Sequence, residues 1–218
     1  MFGDDIHPRA MCESVGMTRA ALPRTSPTRL VLVRHGETDW NVQRRIQGAT
    51  DIPLNDAGRA QASAVASGLA RGRWDGLYSS TLSRAVETAQ IIGGRLGLPE
   101  PVQLTTLAER SYGVLEGLDH GGRAAVEAQA ATIDGLEPRS AVIARARAAL
   151  VEIAAAHPGG EVVVVTHGGV IHALMLDLSD WTFPTPDYVI GNGSVHEVLV
   201  DGADLTLVLP QAATGTAG

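Results

Sequence analysis

Four short stretches of this chain set phosphate-handling side chains next to runs that read as strands. Arg34-His35-Gly36-Glu37-Thr38 follows the apolar run Arg29 to Val33, and Thr166-His167-Gly168-Gly169 follows the run Glu161 to Thr166. Ser79 to Arg84 follows Asp75 to Ser79, and Leu107-Ala108-Glu109-Arg110 lies beyond Val102 to Thr105. An imidazole is nucleophilic near neutral pH without help from a strong base. A guanidinium offers planar, paired donors that match phosphate oxygens. Gly36 and Gly168 let the backbone approach a ligand closely. Arg84 falls in the first turn of a helix, where free N–H groups also favour an anion. Two arginines and a second histidine around a nucleophilic histidine suit a phosphate monoester. Acyl transfer of the serine type lacks its Gly-x-Ser-x-Gly elbow. A helical zinc pair is poorly served, because His167 and His172 are one residue too far apart for the i, i+4 spacing.

These groups need a scaffold that brings them to one edge. The strand runs named above alternate with helical patterns at 56–70, 81–96, 140–156 and 168–177, with Ser80 or Thr81 as an N-cap for the second. Two last strands, Val195 to Val200 and Leu205 to Leu209, flank the turn signal Asp201-Gly202. The expectation is an α/β three-layer sandwich on a mostly parallel sheet, with one antiparallel edge strand. In such sheets ligands bind at the carboxyl ends of the strands, where all four stretches fall. Asp119 to Pro138 has weak periodicity and suits a lid or a helical excursion over a site. Residues 1–27 read as a flexible tail, 28–210 as one domain and 211–218 as a second tail.

Composition narrows the chemistry further. The chain has 218 residues and a net charge of −7, and all seventeen of its basic residues are arginine. Without lysine there is no P-loop and no Schiff-base enzyme. The acidic balance argues against a nucleic-acid partner, and no run approaches the roughly 18 apolar residues of a membrane span. Cys12 is alone, so a disulfide framework is absent and a cytoplasmic location is expected.

LVLVRHGETDWN (30–41), QGATDIPLNDAG (47–58), YSSTLSRAVETA (78–89), LAERSYGVLEG (107–117) and VVVVTHGG (162–169) together resemble the histidine phosphatase superfamily, the phosphoglycerate mutase-like family. The resemblance implies that His35 is the nucleophile and carries the phosphoryl group as phosphohistidine. Arg34, Arg84 and His167 would hold the phosphoryl oxygens, and Glu109 would act as general acid and then general base. Asn41 would touch the phosphate, Gln47 and Gly48 would line the pocket, and Gly168 would bring its backbone to the ligand. The resemblance requires no metal and no organic cofactor. It implies a small phosphorylated substrate, and a homodimer through an edge strand remains open.

The chain departs from the family pattern at Pro138-Arg139-Ser140, where many relatives have Gly-Glu-Ser. Its excursion after Glu109-Arg110-Ser111-Tyr112-Gly113 is shorter than that of the mutase branch, and it offers only Arg123 and Arg139. A metal-independent phosphomonoesterase is therefore favoured over a cofactor-dependent phosphoglycerate mutase, and over a phosphoprotein-binding or phosphoprotein phosphatase member. Glu37 is expected to make a structural hydrogen bond inside its loop, with Glu37 and Glu116 as rivals to Glu109. Trp40 and Trp74 read as packing anchors, and Trp181, Phe183 and Tyr188 as a pocket wall or dimer contact. His7, His120, His157 and His196 read as surface or incidental, and His172 as a supporting group.

Overall fold

Two apolar strands fix the centre of the sheet. In the computed structural model, which describes residues 26–209, β1 (Thr28–Arg34) and β4 (Glu161–Thr166) pair in parallel from Arg29–Glu161 to Arg34–Thr166. Successive residues of a strand point to opposite faces, and here both faces are covered. Leu30, Leu32, Val162 and Val164 join the core beneath α5 (Arg139–Ala156) and α6 (Gly168–Leu178). Val31, Val33, Val163 and Val165 join the opposite core, beneath α2 (Asp56–Leu69) and α3 (Ser83–Leu96). This double burial explains why the two strands are apolar throughout instead of alternating with polar residues.

The six strands lie in the order β3-β2-β4-β1-β5-β6, with β2 at Gly76–Ser80 and β3 at Val102–Leu104. β1 to β4 are mutually parallel, while β5 (Val195–Asp201) pairs antiparallel with β1 and with β6 (Asp204–Val208). The expected sandwich is present, and the hairpin signal at Asp201-Gly202 closes the antiparallel edge.

Some local expectations shift. α3 begins at Ser83, preceded by Leu82 with no side-chain cap, so neither Ser80 nor Thr81 is the N-cap. The Ser80 hydroxyl instead accepts the Leu82 N–H, and Asp51 from a distant loop accepts from the Ser83 N–H and hydroxyl at 2.8 Å each. The segment 119–138 contains α4 (His120–Gln129), which is N-capped by Asp119. A short helix, α1 (Asp39–Val42), follows β1 and begins in a Thr38–Asn41 capping box. His196 is buried, not superficial, and contacts Ser194 and Tyr188. The expected tails, with His7 and Cys12, lie outside the described residues apart from the short stretch 26–27. Among the described residues no helix is long and apolar enough to cross a membrane.

Candidate active site

Register brings the two histidines together. Arg34 pairs with Thr166 at the ends of β1 and β4, so His35 and His167 are the next residues on adjacent strands. The His35 N–H donates to the Thr166 carbonyl at 3.0 Å, and the imidazole rings sit 5.1 Å apart. The Thr166 hydroxyl donates to the Leu107 carbonyl at 2.8 Å, which ties the loop carrying Glu109 to the same edge. β2 flanks β4 on its other side and delivers the start of α3, and with it Arg84.

The tautomer of His35 follows from its partner. Its Nδ1 lies 2.7 Å from the Gly36 carbonyl oxygen. A carbonyl can only accept, so Nδ1 carries the proton and Nε2 keeps a free lone pair. Burial, with the charges of Arg84 and Arg34, holds the His35 imidazole well below its usual range, so the ring is neutral at pH 7. His167 is depressed in the same way, by burial and then by His35, Arg84 and Arg34.

Arg84 is fully buried and is aimed by two carbonyls, Gly48 at 2.8 Å and Thr50 at 2.9 Å. Gly48 has φ +56°, and a Cβ there would overlap the Glu116 carboxylate, so the position requires glycine. Arg34 donates to the Ile190 carbonyl at 2.5 Å. After those bonds, Nε of Arg34, Nε of Arg84 and both ring nitrogens of His167 are buried without a hydrogen-bond partner. Leaving such groups unpaired is costly. The charge of the two guanidinium groups, with the donor that a neutral His167 ring offers, fits a phosphate-like anion.

Glu109 accepts from the Arg110 N–H at 2.8 Å and from the Gly169 N–H, at the start of α6, at 3.0 Å. A Cβ on Gly169 would overlap this carboxylate. Burial alone would raise Glu116, but the Thr50 hydroxyl and the N–H groups of Tyr112, Ala49 and Thr50 donate to it and hold it below the usual carboxylate range. Glu37 accepts from the Asn55 amide at 3.0 Å, a structural bond as expected, but to the N-cap of α2 and not within its own loop. Neither rival is therefore placed as Glu109 is.

Gln47 is buried, with Oε1 unpartnered, beside Gly48. Asn41 uses Oδ1 to accept from the Thr38 N–H and hydroxyl and from the Asn192 amide, so that oxygen serves the loop. Gly168 opens α6, and a Cβ there would come within 3.2 Å of the Arg34 guanidinium. Arg34, Glu109 and Gly168 face a cavity of about 440 Å³, which Arg110, Arg123 and Arg139 also line. His172 and Tyr188 form part of its wall. Among the described residues no group of three or more His, Cys, Asp or Glu could hold a metal ion.

The family model of the histidine phosphatase superfamily (branch 1) matches residues 30–212. The chain belongs to this superfamily. Within it, a metal-independent phosphoserine phosphatase of Arabidopsis thaliana is 40% identical over 164 residues, which is 70% of this chain and 69% of that protein. A glucosyl-3-phosphoglycerate phosphatase of Mycobacterium tuberculosis is 40% identical over 163 residues, 67% of this chain and 73% of the relative. The crystal structure of a phosphoglycerate mutase from Bacillus anthracis matches with a TM-score of 0.75 at 25% identity, over 85% of this chain and 93% of that one. The superfamily's fold is thus present in full, with histidine phosphatase relatives of both hydrolytic and mutase name.

Sequence reasoning did not find Asn192, Thr88 or Arg145, which brace the site. Asn192 touches the His35 loop across the sheet, and Thr88 accepts the Gly36 N–H at 3.1 Å. The one legible hint was Gly191-Asn192-Gly193, a turn signal whose partners only the folded chain reveals.

Proposed function

We propose that this histidine phosphatase hydrolyses small phosphate monoesters through a phosphohistidine at His35. The observation that carries the reading is the locked His35 tautomer, with its free Nε2 lone pair, among the unpartnered buried donors of Arg34, Arg84 and His167. In the first step Nε2 forms a bond to phosphorus and the ester P–O bond breaks. Glu109 gives its proton to the departing oxygen. Arg34, Arg84 and His167 hold the phosphoryl oxygens as charge redistributes. In the second step water attacks phosphorus, Glu109 takes a proton from it, the N–P bond breaks, and inorganic phosphate leaves with His35 restored. Asn41, Gln47, Gly48 and Gly168 shape the phosphate pocket around these groups.

The chemistry of the cavity supports a small acid as the rest of the substrate. Arg110 and Arg139 add cationic groups beyond the phosphate clamp, while Arg123 is paired with Glu127 at 2.8 Å, and this favours an ester with a second anionic group. Relatives named for phosphoserine and for glucosyl-3-phosphoglycerate support the same class. The single domain at 28–210 and a cytoplasmic setting, suggested by the lone Cys12, complete the proposal.

His35→Ala should abolish hydrolysis of an aryl phosphate and of phosphoserine, and should leave no acid-labile phosphoenzyme after rapid quenching. EDTA should change neither rate nor labelling. Retained turnover in the variant would refute the reading. Likeness to a phosphoglycerate mutase keeps mutase activity as a second reading. Interconversion of 2- and 3-phosphoglycerate, stimulated by the bisphosphorylated acid and faster than hydrolysis, would favour it.

A further inference from the structure

The segment just before β5 does more than lead into a strand. Gly193 N–H donates to the Arg34 carbonyl at 3.0 Å and approaches the His35 carbonyl at 3.3 Å, while Arg34 N–H donates to the Ser194 carbonyl at 3.0 Å. The Asn192 amide nitrogen lies 3.1 Å from the His35 carbonyl, 3.2 Å from the Gly36 carbonyl and 3.2 Å from Oδ1 of Asn41. All three partners act as acceptors here, because Asn41 Oδ1 already accepts from Thr38. A flipped amide would set oxygen against oxygen three times, so the orientation of Asn192 is fixed by its surroundings. Its placement also depends on the next residue, since Gly193 has φ +71°, which favours glycine.

The Gly36 carbonyl is the junction. It takes the His35 Nδ1–H on one side and the Asn192 amide on the other, which uses both of its lone pairs. Thr88 accepts the N–H of Gly36, in the preceding peptide plane, and the Glu37 N–H, which shares the plane of the Gly36 carbonyl, donates to Gln61 Oε1 at 2.8 Å. The peptide plane is thereby held, and that plane decides which imidazole nitrogen carries the proton. We infer that Asn192 is a positioning residue for the nucleophile: it fixes the Gly36 carbonyl, and through it the Nδ1–H tautomer that leaves His35 Nε2 free to attack phosphorus. This rests on the proposed role of His35. Asn192 touches no reacting atom, so its loss should slow phosphoryl transfer to the enzyme without weakening substrate capture.

The test uses the full chain, with p-nitrophenyl phosphate as probe. Asn192→Ala removes the donor, Asn192→Asp keeps the shape but turns the donor into an acceptor, and Asn192→Gln keeps the donor on a longer stem. Rapid-quench kinetics give the phosphorylation rate and burst amplitude, and 15N NMR of the ring gives the His35 tautomer. Phosphorylation should slow roughly 10- to 100-fold in the Ala and Asp variants, the scale of a small misplacement of a reacting group. KM should stay within about threefold. The ring signal should change from pure Nδ1–H to a mixture, and the Gln variant should recover part of both the rate and the tautomer. A phosphorylation rate within about twofold of the parent in both the Ala and Asp variants would overturn the inference. So would an unchanged tautomer in both, or loss of the folded state in both, which would make Asn192 a purely structural residue. Failure of the parent reading looks different: His35→Ala would then retain turnover, while the ring signals would still report on Asn192.

Discussion

Glu109 is held by two backbone N–H groups from different elements, Arg110 beside it and Gly169 at the start of α6. Such a carboxylate is fixed in place and still has lone pairs for a proton. In the proposed mechanism its proton matters most when the departing oxygen is a poor leaving group. Glu109→Gln should therefore cut hydrolysis of alkyl phosphates by about 100- to 1,000-fold and of nitrophenyl phosphates by much less. A plot of log kcat/KM against leaving-group pKa should steepen in the variant, and equal losses across the series would count against the role. Arg34, His35, Arg84, Glu109 and His167 were legible in sequence because each follows a run that reads as a strand, and strand ends collect ligand groups. Asn192 and Thr88 were not, because hydrogen bonds to main-chain atoms far away leave no spacing to read. His196 was misjudged for a related reason. A histidine in the alternating strand β5 looks the same in sequence whether its face is covered or open, and here Tyr188 and Ser194 cover it.

At the scale of elements, Arg145 ties α5 to the site. Arg145 grips Glu137 with two nitrogens, at 2.8 and 3.0 Å, and donates to the carbonyls of Thr106 and Ala108 at 2.8 and 2.6 Å. Glu137 in turn accepts from the Ser111 N–H, and its carbonyl accepts from Arg110. Both segments that flank Glu109 are thus pinned to one guanidinium. Each side chain of the ion pair is only 20% exposed, so loss of one partner leaves the other poorly solvated. Arg145→Met should cost about 2–3 kcal/mol, at or just below the usual range for a broken buried pair, measured by urea unfolding. It should also lower kcat by loosening the Glu109 loop, and Arg145→Lys should restore little, because lysine lacks the fork. The helix itself was legible from its apolar repeat, as were α2, α3 and α6. α4 was legible only as a helical excursion without bounds, because its Gly-Gly and Ala-rich sequence carries few large apolar groups. The start of α3 was misjudged because its cap, Asp51, comes from another loop.

For the whole molecule, the three buried histidines among the described residues set a pH dependence. His35, His167 and His196 are each depressed, chiefly by burial, and His196 falls to about 4. The unfolded chain binds their protons below pH ~6.5, whereas the folded chain does so only at lower pH. Stability is therefore fully present above ~6.5 and declines as the solution is acidified, by up to about 1.4 kcal/mol per pH unit for each group. The urea midpoint should fall steadily between pH 7 and 5, and His196→Gln should flatten the slope by about one histidine's share. A midpoint that does not change over that interval would contradict the burial argument. The layered sheet was legible in full because the two central strands are apolar on both faces. Their register was not, although it alone places His35 beside His167.

The unpartnered donors of Arg34, Arg84 and His167 have a consequence for turnover. A phosphoryl group in transfer and free orthophosphate present nearly the same oxygens to those atoms. A site that rewards one therefore retains the other, and emptying it strands buried donors again. If these groups act as proposed, the same burial should slow product release and make orthophosphate a competitive inhibitor, which initial rates at varied phosphate and substrate would check.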